Sequence, residues 1–364
     1  MQPITVSAPP ASPPPRQARG RWIWALSGLL TIGVLGGLLG RLAIDPPRTS
    51  PGGQKIWALP AQALTVAGTV TAVSVTSYGD PIKVTAQPGT AVRVTAVVAY
   101  NVADGGPPAV THTDSHGLLT LAAPACARSD CSVAFTVTVP PGTTVSAASD
   151  GGSVSVAGTG AASLDSGGGP AWASQISGPL TVNAEGGQVT VDQVGADASL
   201  DSGGGPVAAT NVNGALKVRA EGGEVTAAGA GATTIDSGGG PVSASAIRGP
   251  LSVTADGGGV QVDGVSGALS ADTGGGPLSA GGLGSASATV TTEGSDVTLG
   301  FTSPPQTVRV TTGGGQATLA LPGGPYAVST DGGAADSVSV PTSPGATSSV
   351  NVSTEGGNAQ IGPA

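Results

Sequence analysis

The stretch "SLDSGGGPVAA", residues 199–209, sets a carboxylate and a hydroxyl against three glycines and a proline. Nearly the same words stand at residues 165–170 and 236–241 and, with threonine for serine, at 272–277. Between them runs a second phrase: "LTVNAEGGQVTV" (180–191), "LKVRAEGGEVTA" (216–227) and "LSVTADGGGVQV" (251–262). Apolar and polar residues alternate on both sides of each acidic-Gly-Gly triplet, as in Leu180, Val182 and Ala184 before one and Val189 and Val191 after it. Period-two alternation marks a strand with one buried face, so each phrase joins two short strands. Glycine there admits positive φ and the close approach of a neighbouring backbone. The acidic side chain is placed to accept hydrogen bonds from the amides that follow, and proline fixes φ where the next strand begins. The phrase reads as a corner.

The corners recur at a set period. Acidic residues followed by glycine, directly or after one Ser or Thr, fall at Asp150, Asp165, Glu185, Asp201, Glu221, Asp236, Asp256, Asp272 and Glu293, alternately 15 or 16 and 20 or 21 residues apart. Two alternating units make a double repeat, and self-similarity at that length predicts an all-β, parallel β-solenoid with one acidic corner per rung. With rungs stacked about 4.8 Å apart, the acidic residues from Asp165 to Asp272 are expected to form a single column of like charge. Two devices could offset the repulsion. Each carboxylate could be capped by glycine amides of its own turn, or Ca²⁺ could sit between rungs, with Asp165, Asp201, Asp236 and Asp272 as the metal column. The sequence lacks the G-G-x-G-x-D register of calcium solenoids, so local capping and no bound metal are expected.

Composition agrees with a narrow stacked core. With 62 Gly, 30 Pro and 10% charged residues in 364, disorder is the first rival, yet 39% of the residues are hydrophobic and Val, Leu and Ile fall on alternate positions. Aromatic residues make up 2%, so the core must be thin and lined by Val, Leu and Ala.

Residues 22–40, "WIWALSGLLTIGVLGGLLG", carry no charge. At about 1.5 Å per residue this run just crosses a hydrocarbon layer about 30 Å thick, which predicts one transmembrane helix. A cleaved signal fits less well, since the run exceeds a usual signal core and only "RLAIDPP" follows it. The tail, residues 1–21, is proline-rich and purely basic, with Arg16, Arg19 and Arg21, which places it in the cytoplasm and the rest of the chain outside the cell membrane. Gly33 with Gly37 and Gly36 with Gly40 give small-residue spacings that can pack such helices as dimers. Residues 41–60 read as a proline-rich linker and 61–364 as the β domain, most regular over about 135–300. Three of the 13 basic residues lie in the tail, leaving ten against 22 acidic ones, a formal −12. Such a surface excludes nucleic acid as a partner.

The two cysteines, Cys126 and Cys131 in "CARSDC", would then face an oxidising space, and a disulfide closing this short loop is the first reading. His112 and His116 stand a few residues upstream, and two His with two Cys form the alternative, a zinc site.

"FTVTVPPGTTVSAASDGGSVSVAGTGAASLDSGGG", residues 135–169, resembles the signature of the bacterial putative-adhesin family, a domain of unknown function, and "ATLALPGGPYAVSTDGG", residues 317–333, is similar to the family's later rungs. The resemblance covers about residues 64–362. It implies a parallel β-solenoid in an envelope protein, often tethered by one helix. An Ala-, Gly-, Pro- and Val-rich composition with little Lys also looks actinobacterial.

For function, the chain holds no G-x-S-x-G, no Walker loop, no H-E-x-x-H and no dinucleotide fingerprint, so no catalytic residue and no cofactor is expected. The leading reading is a non-catalytic adhesion, interaction or structural module of the cell envelope. Its partner would be an envelope protein, a polysaccharide or further copies of itself. Two alternatives stand beside it. One is an envelope-stress sensor signalling through the short tail, where "PPASPPPR" (residues 9–16) could adopt polyproline II. The other is a polysaccharide-acting enzyme with Asp165 and Asp201 as its carboxylate pair.

Overall fold

A computed structural model describes residues 48–49, 55–101, 107–123, 131–333 and 335–364. The tail, the apolar run at 22–40 and Cys126 lie outside the described residues. Among the described residues no helix is long and apolar enough to cross a membrane.

Residues 46–364 form one compact unit, an all-β parallel solenoid. Each rung is two strands, one in each of two facing sheets, so a strand pairs not with its successor but with the next but one. Ala162–Ser166 pairs with Leu180–Ala184, then Ala198–Ser202, then Leu216–Ala220; on the other sheet Ala171–Ile176 pairs with Val189–Val194, then Val207–Val212. The register is unshifted from rung to rung through this region. We call the first the acidic sheet and the second the proline sheet, after the residues they display. The acidic-glycine phrase is the corner leading from the former to the latter. A second corner, such as Ser177-Gly178-Pro179, leads back.

The core between the sheets is built of aliphatic side chains, three inward positions from most strands. Leu180, Val182 and Ala184 from one sheet and Val189, Val191 and Val194 from the other are all at most 2% exposed. In one file small and large residues alternate over four rungs, Ala162, Leu180, Ala198 and Leu216 being stacked neighbours. There a bulky leucine on one rung fills the space its neighbour's alanine leaves. The large buried rings, Phe135, Phe301 and Tyr326, lie toward the ends.

Period-two alternation breaks at one place on every regular rung of the proline sheet. In Ala171–Ile176 two outward residues, Ser174 and Gln175, precede the buried Ile176. Gln175 adopts φ 54°, and so do its register neighbours Gln193 (60°), Asn211 (57°) and Ala246 (51°). One left-handed residue per rung kinks the strand and turns the next side chain inward; glycine takes the same place on other rungs, as at Gly229, Gly264 and Gly282.

Both ends of the solenoid are closed by chain that runs outward and comes back. Leu118–Ala122 and Cys131–Val139 form a rung below Ala72–Ser77 and Ile82–Ala86, although they follow them in sequence. Antiparallel strands Ala91–Asn101 and Gln62–Ala67 extend that end. Asp80 fastens the cap by accepting a 2.6 Å hydrogen bond from the Val133 amide, and burial pushes its carboxyl above the usual range more than this bond lowers it. At the other end Ala327–Asp331 is outermost, with Ser349–Ser353 inserted between it and Thr307–Thr312. Turned-back strands at both ends, antiparallel at the lower one, interrupt the regular parallel stack among the described residues. The linker read over 41–60 contains two strands, Arg48–Thr49 and Lys55–Ala58, the second paired with Ala91–Asn101.

Candidate functional site

The structure corrects the single acidic column. Asp165 pairs in register with Asn183, Asn183 with Asp201, Asp201 with Arg219, Arg219 with Asp236, Asp236 with Thr254 and Thr254 with Asp272. Glu185, Glu221 and Asp256 lie two residues further along, in a second column where Gly203, Gly238 and Gly274 stack on their backbones. Each column therefore carries an acid only on alternate rungs, with a neutral or cationic neighbour above and below. The unequal 15 and 20 residue spacings encode this stagger, since rungs are a nearly constant 18 residues long, as Leu180 to Ala198 to Leu216 shows. Doubling the separation to about 10 Å roughly halves the repulsion. Arg219 Nε also lies 3.6 Å from Asp236 Oδ2, an exposed pair.

The capping expectation is corrected as well. None of Asp165, Asp201 or Asp272 accepts a hydrogen bond in the structure; the buried hydroxyl that follows closes the corner instead. Ser202 Oγ donates to the Gly205 carbonyl (2.9 Å), Ser237 Oγ to Gly240 (3.0 Å) and Thr273 Oγ1 to Gly276 (2.9 Å), and Ser166 does the same to Gly169. On intervening rungs Ala184, Ala220 and Ala255 occupy this position. Nor do the glycines of these corners need positive φ. At Gly187 an added Cβ would lie 1.9 Å from the Gly169 carbonyl oxygen, and at Gly205 2.1 Å from that of Gly187, so glycine is required for stacking distance.

The carboxylates that do hold backbone belong to other positions. Asp197 Oδ1 accepts from the Ala215 amide (2.8 Å) and Asp296 Oδ1 from Gln316 (2.8 Å), each bond joining consecutive rungs. Asp192 accepts from Thr210 Oγ1 (2.7 Å) and Asn211 Nδ2 (3.0 Å), and these donors, the hydroxyl foremost, hold its carboxyl below the usual range. Nothing in the repeated phrases pointed to these residues, which stand at three different places: Asp192 before the left-handed residue of a proline-sheet strand, Asp197 beside the return corner and Asp296 just before the start of a proline-sheet strand.

Among the described residues no group of three or more His, Cys, Asp or Glu is arranged to hold a metal ion. His116 sits at φ 53° with its Nδ1 2.8 Å from Ser115 Oγ, beside the edge strand Thr111–Ser115 that carries His112. Cys131 opens the strand Cys131–Val139, and no described cysteine is a free thiol. With the acids staggered, millimolar Ca²⁺ or a chelator is expected to move the melting temperature by less than about 2 °C, checked by thermal scans with each. A rise of many degrees with Ca²⁺ would restore the metal column.

A concavity lies on the proline sheet. Preceding each strand there, one register position runs Pro170, Gln188, Pro206, Glu224, Pro241, Gly259, Pro277, Asp296, so proline stands on every second rung. Where Gly259 replaces the long side chains, a groove of about 560 Å³ opens between Pro241 and Pro277, ended by Glu224 and Asp296 and sided by Ser243, Gln261 and Ser279. It crosses five rungs, about 19 Å along the solenoid axis.

No family model and no curated protein matches the chain. A solved structure of a "putative cell adhesion protein" from Clostridium sporogenes is similar over 84% of this chain and 99% of its own, at 8% identity and a TM-score of 0.22. At that TM-score too little geometry is shared to carry an argument from one protein to the other. What the chain does has to be read from its own surface.

Proposed function

We propose that the chain is a non-catalytic interaction module of the cell envelope, anchored by a helix at residues 22–40 with the tail in the cytoplasm and the solenoid outside. The observation that carries this reading is the exterior of the solenoid. Two outer faces, mostly of short polar side chains, run along the stack, and the groove on one of them is open. Its carboxylates are four rungs apart, too far for a paired acid and base. A long polar surface that changes little from rung to rung suits contact with an extended partner. The putative-adhesin resemblance of residues 135–169 and 317–333 points the same way, and a Cys126–Cys131 disulfide would suit an oxidising space next to the lower cap.

The full-length protein is expected to stay with membranes after carbonate washing, to be cleaved by protease added to intact cells, and to co-sediment with isolated envelope. A soluble product beginning near Ile44, protection from external protease, or no retention on envelope would each overturn the proposal.

A further inference from the structure

We infer that the groove centred on Gly259 binds an extended β-1,4-linked glycan of amino sugars, laid along the solenoid axis. The inference deepens the envelope-interaction reading and rests on it for location only.

Three observations carry it. The first is period. Pro241 and Pro277 stand two rungs apart, about 10 Å, in one register position. That is also the length of one disaccharide in an extended β-1,4-linked chain, in which each ring is flipped relative to the last and the same ring face recurs on every second sugar. A two-rung proline period therefore meets the same apolar ring face at each step. An extended peptide laid along the axis repeats the same side-chain face about every 6.8 Å, out of step with this period.

The second is chemistry. Ser243, Gln261 and Ser279 project along the groove from successive rungs, and hydroxyls and amides at this spacing can both donate to and accept from sugar hydroxyls. Trp172, 40% exposed, continues the same outward column toward the N-terminal end and offers an indole face to a longer glycan.

The third is charge. Glu224 and Asp296 close the two ends and no Lys or Arg lines the groove. Asp296 uses Oδ1 on the Gln316 amide, which leaves Oδ2 uncommitted. Carboxylates without cations favour an amine-bearing sugar and repel a uronate.

Gly259→Gln tests this cleanly. A Cβ at Gly259 would make only ordinary 3.7 Å contacts with the Pro277 ring, its φ is not left-handed, and Gln188 already occupies the equivalent position two double rungs away. The substitution should fill the groove and spare the fold. With full-length protein, titration calorimetry against a β-1,4-linked glucosamine tetramer, its N-acetylated form, a tetragalacturonate and maltotetraose is expected to show binding in that order, the last two undetectable. G259Q should weaken the glucosamine tetramer about tenfold or more at unchanged melting temperature. Glu224→Gln should weaken it severalfold while leaving the N-acetylated tetramer unaffected. Equal binding of the galacturonate or of maltotetraose, or a G259Q protein that binds as wild type does, would overturn the inference. Envelope retention separates the two readings: if wild type and G259Q are both retained while no glucosamine tetramer binds, the groove assignment falls and the envelope module stands. If tetramer binding is present and lost in G259Q while envelope retention is absent, the reverse holds.

Discussion

Replacing Gly187 by alanine is expected to lower stability by about 3 kcal/mol or more, while Gly186→Ala, one residue earlier in the same corner, should be neutral or stabilising by up to about 1 kcal/mol. The difference follows from the stack. A Cβ at Gly187 would lie 1.9 Å from the Gly169 carbonyl oxygen and 2.4 Å from its carbon, both backbone atoms of the rung below, whereas nothing stands within 4 Å of one at Gly186. Neither glycine has left-handed φ, so strain of that kind cannot account for a difference between them. To admit the methyl the two rungs must separate locally, which stretches the parallel hydrogen bonds on either side, Ala171 to the Gln188 carbonyl (2.8 Å) and Glu185 to the Ser166 carbonyl (3.2 Å). Urea midpoints of the two variants check this. Equal midpoints would show that the corners are looser than their stacking distance implies.

Leu200→Ala is expected to cost about 2 to 4 kcal/mol, against less than about 0.5 kcal/mol for Asp201→Ala beside it. Leu200 is 1% exposed, stacked between Val182 and Val218, and its rung already carries the small Ala198, so no neighbouring bulk can move into the cavity. Asp201 points outward and accepts no hydrogen bond in the structure. Because each rung contacts only its neighbours, the damage should be local: amide exchange should quicken in the strands around Leu200 and remain slow near Val290, several rungs away. Uniform acceleration would show instead that the solenoid opens as one unit.

The two experiments probe different terms of the same design. Glycine sets the distance between rungs, and the aliphatic core sets the distance between sheets. The polar exterior is left free to vary, which is why Gly259 can replace Gln188 or Glu224 at one register position and open a groove without a change in rung geometry.

Sequence by itself determined the all-β parallel solenoid and the corner at each acidic-glycine phrase, together with the faces that are buried. Leu180, Val182, Val189 and Val191 could be assigned to the core by alternation alone, because a one-residue slip would expose all of them. What tertiary structure decided was register between rungs. The acids at Asp165 and Glu185 look equivalent in a linear reading, since each precedes glycine, but pairing aligns Asp165 with Asn183 and staggers the charges. Asp201 and Ser202 both stand within reach of the glycines that follow, so local pattern cannot show which closes the corner; burial of the Ser202 hydroxyl settles it. The same holds for the end rungs, where Leu118–Ala122 lies below a strand that precedes it, and for the groove, whose only mark in the sequence is one extra glycine in "LSVTADGGGVQV". Alternation records which side of a strand faces in. Which strand lies beside it is fixed only when backbone hydrogen bonds and core volumes are satisfied together across rungs.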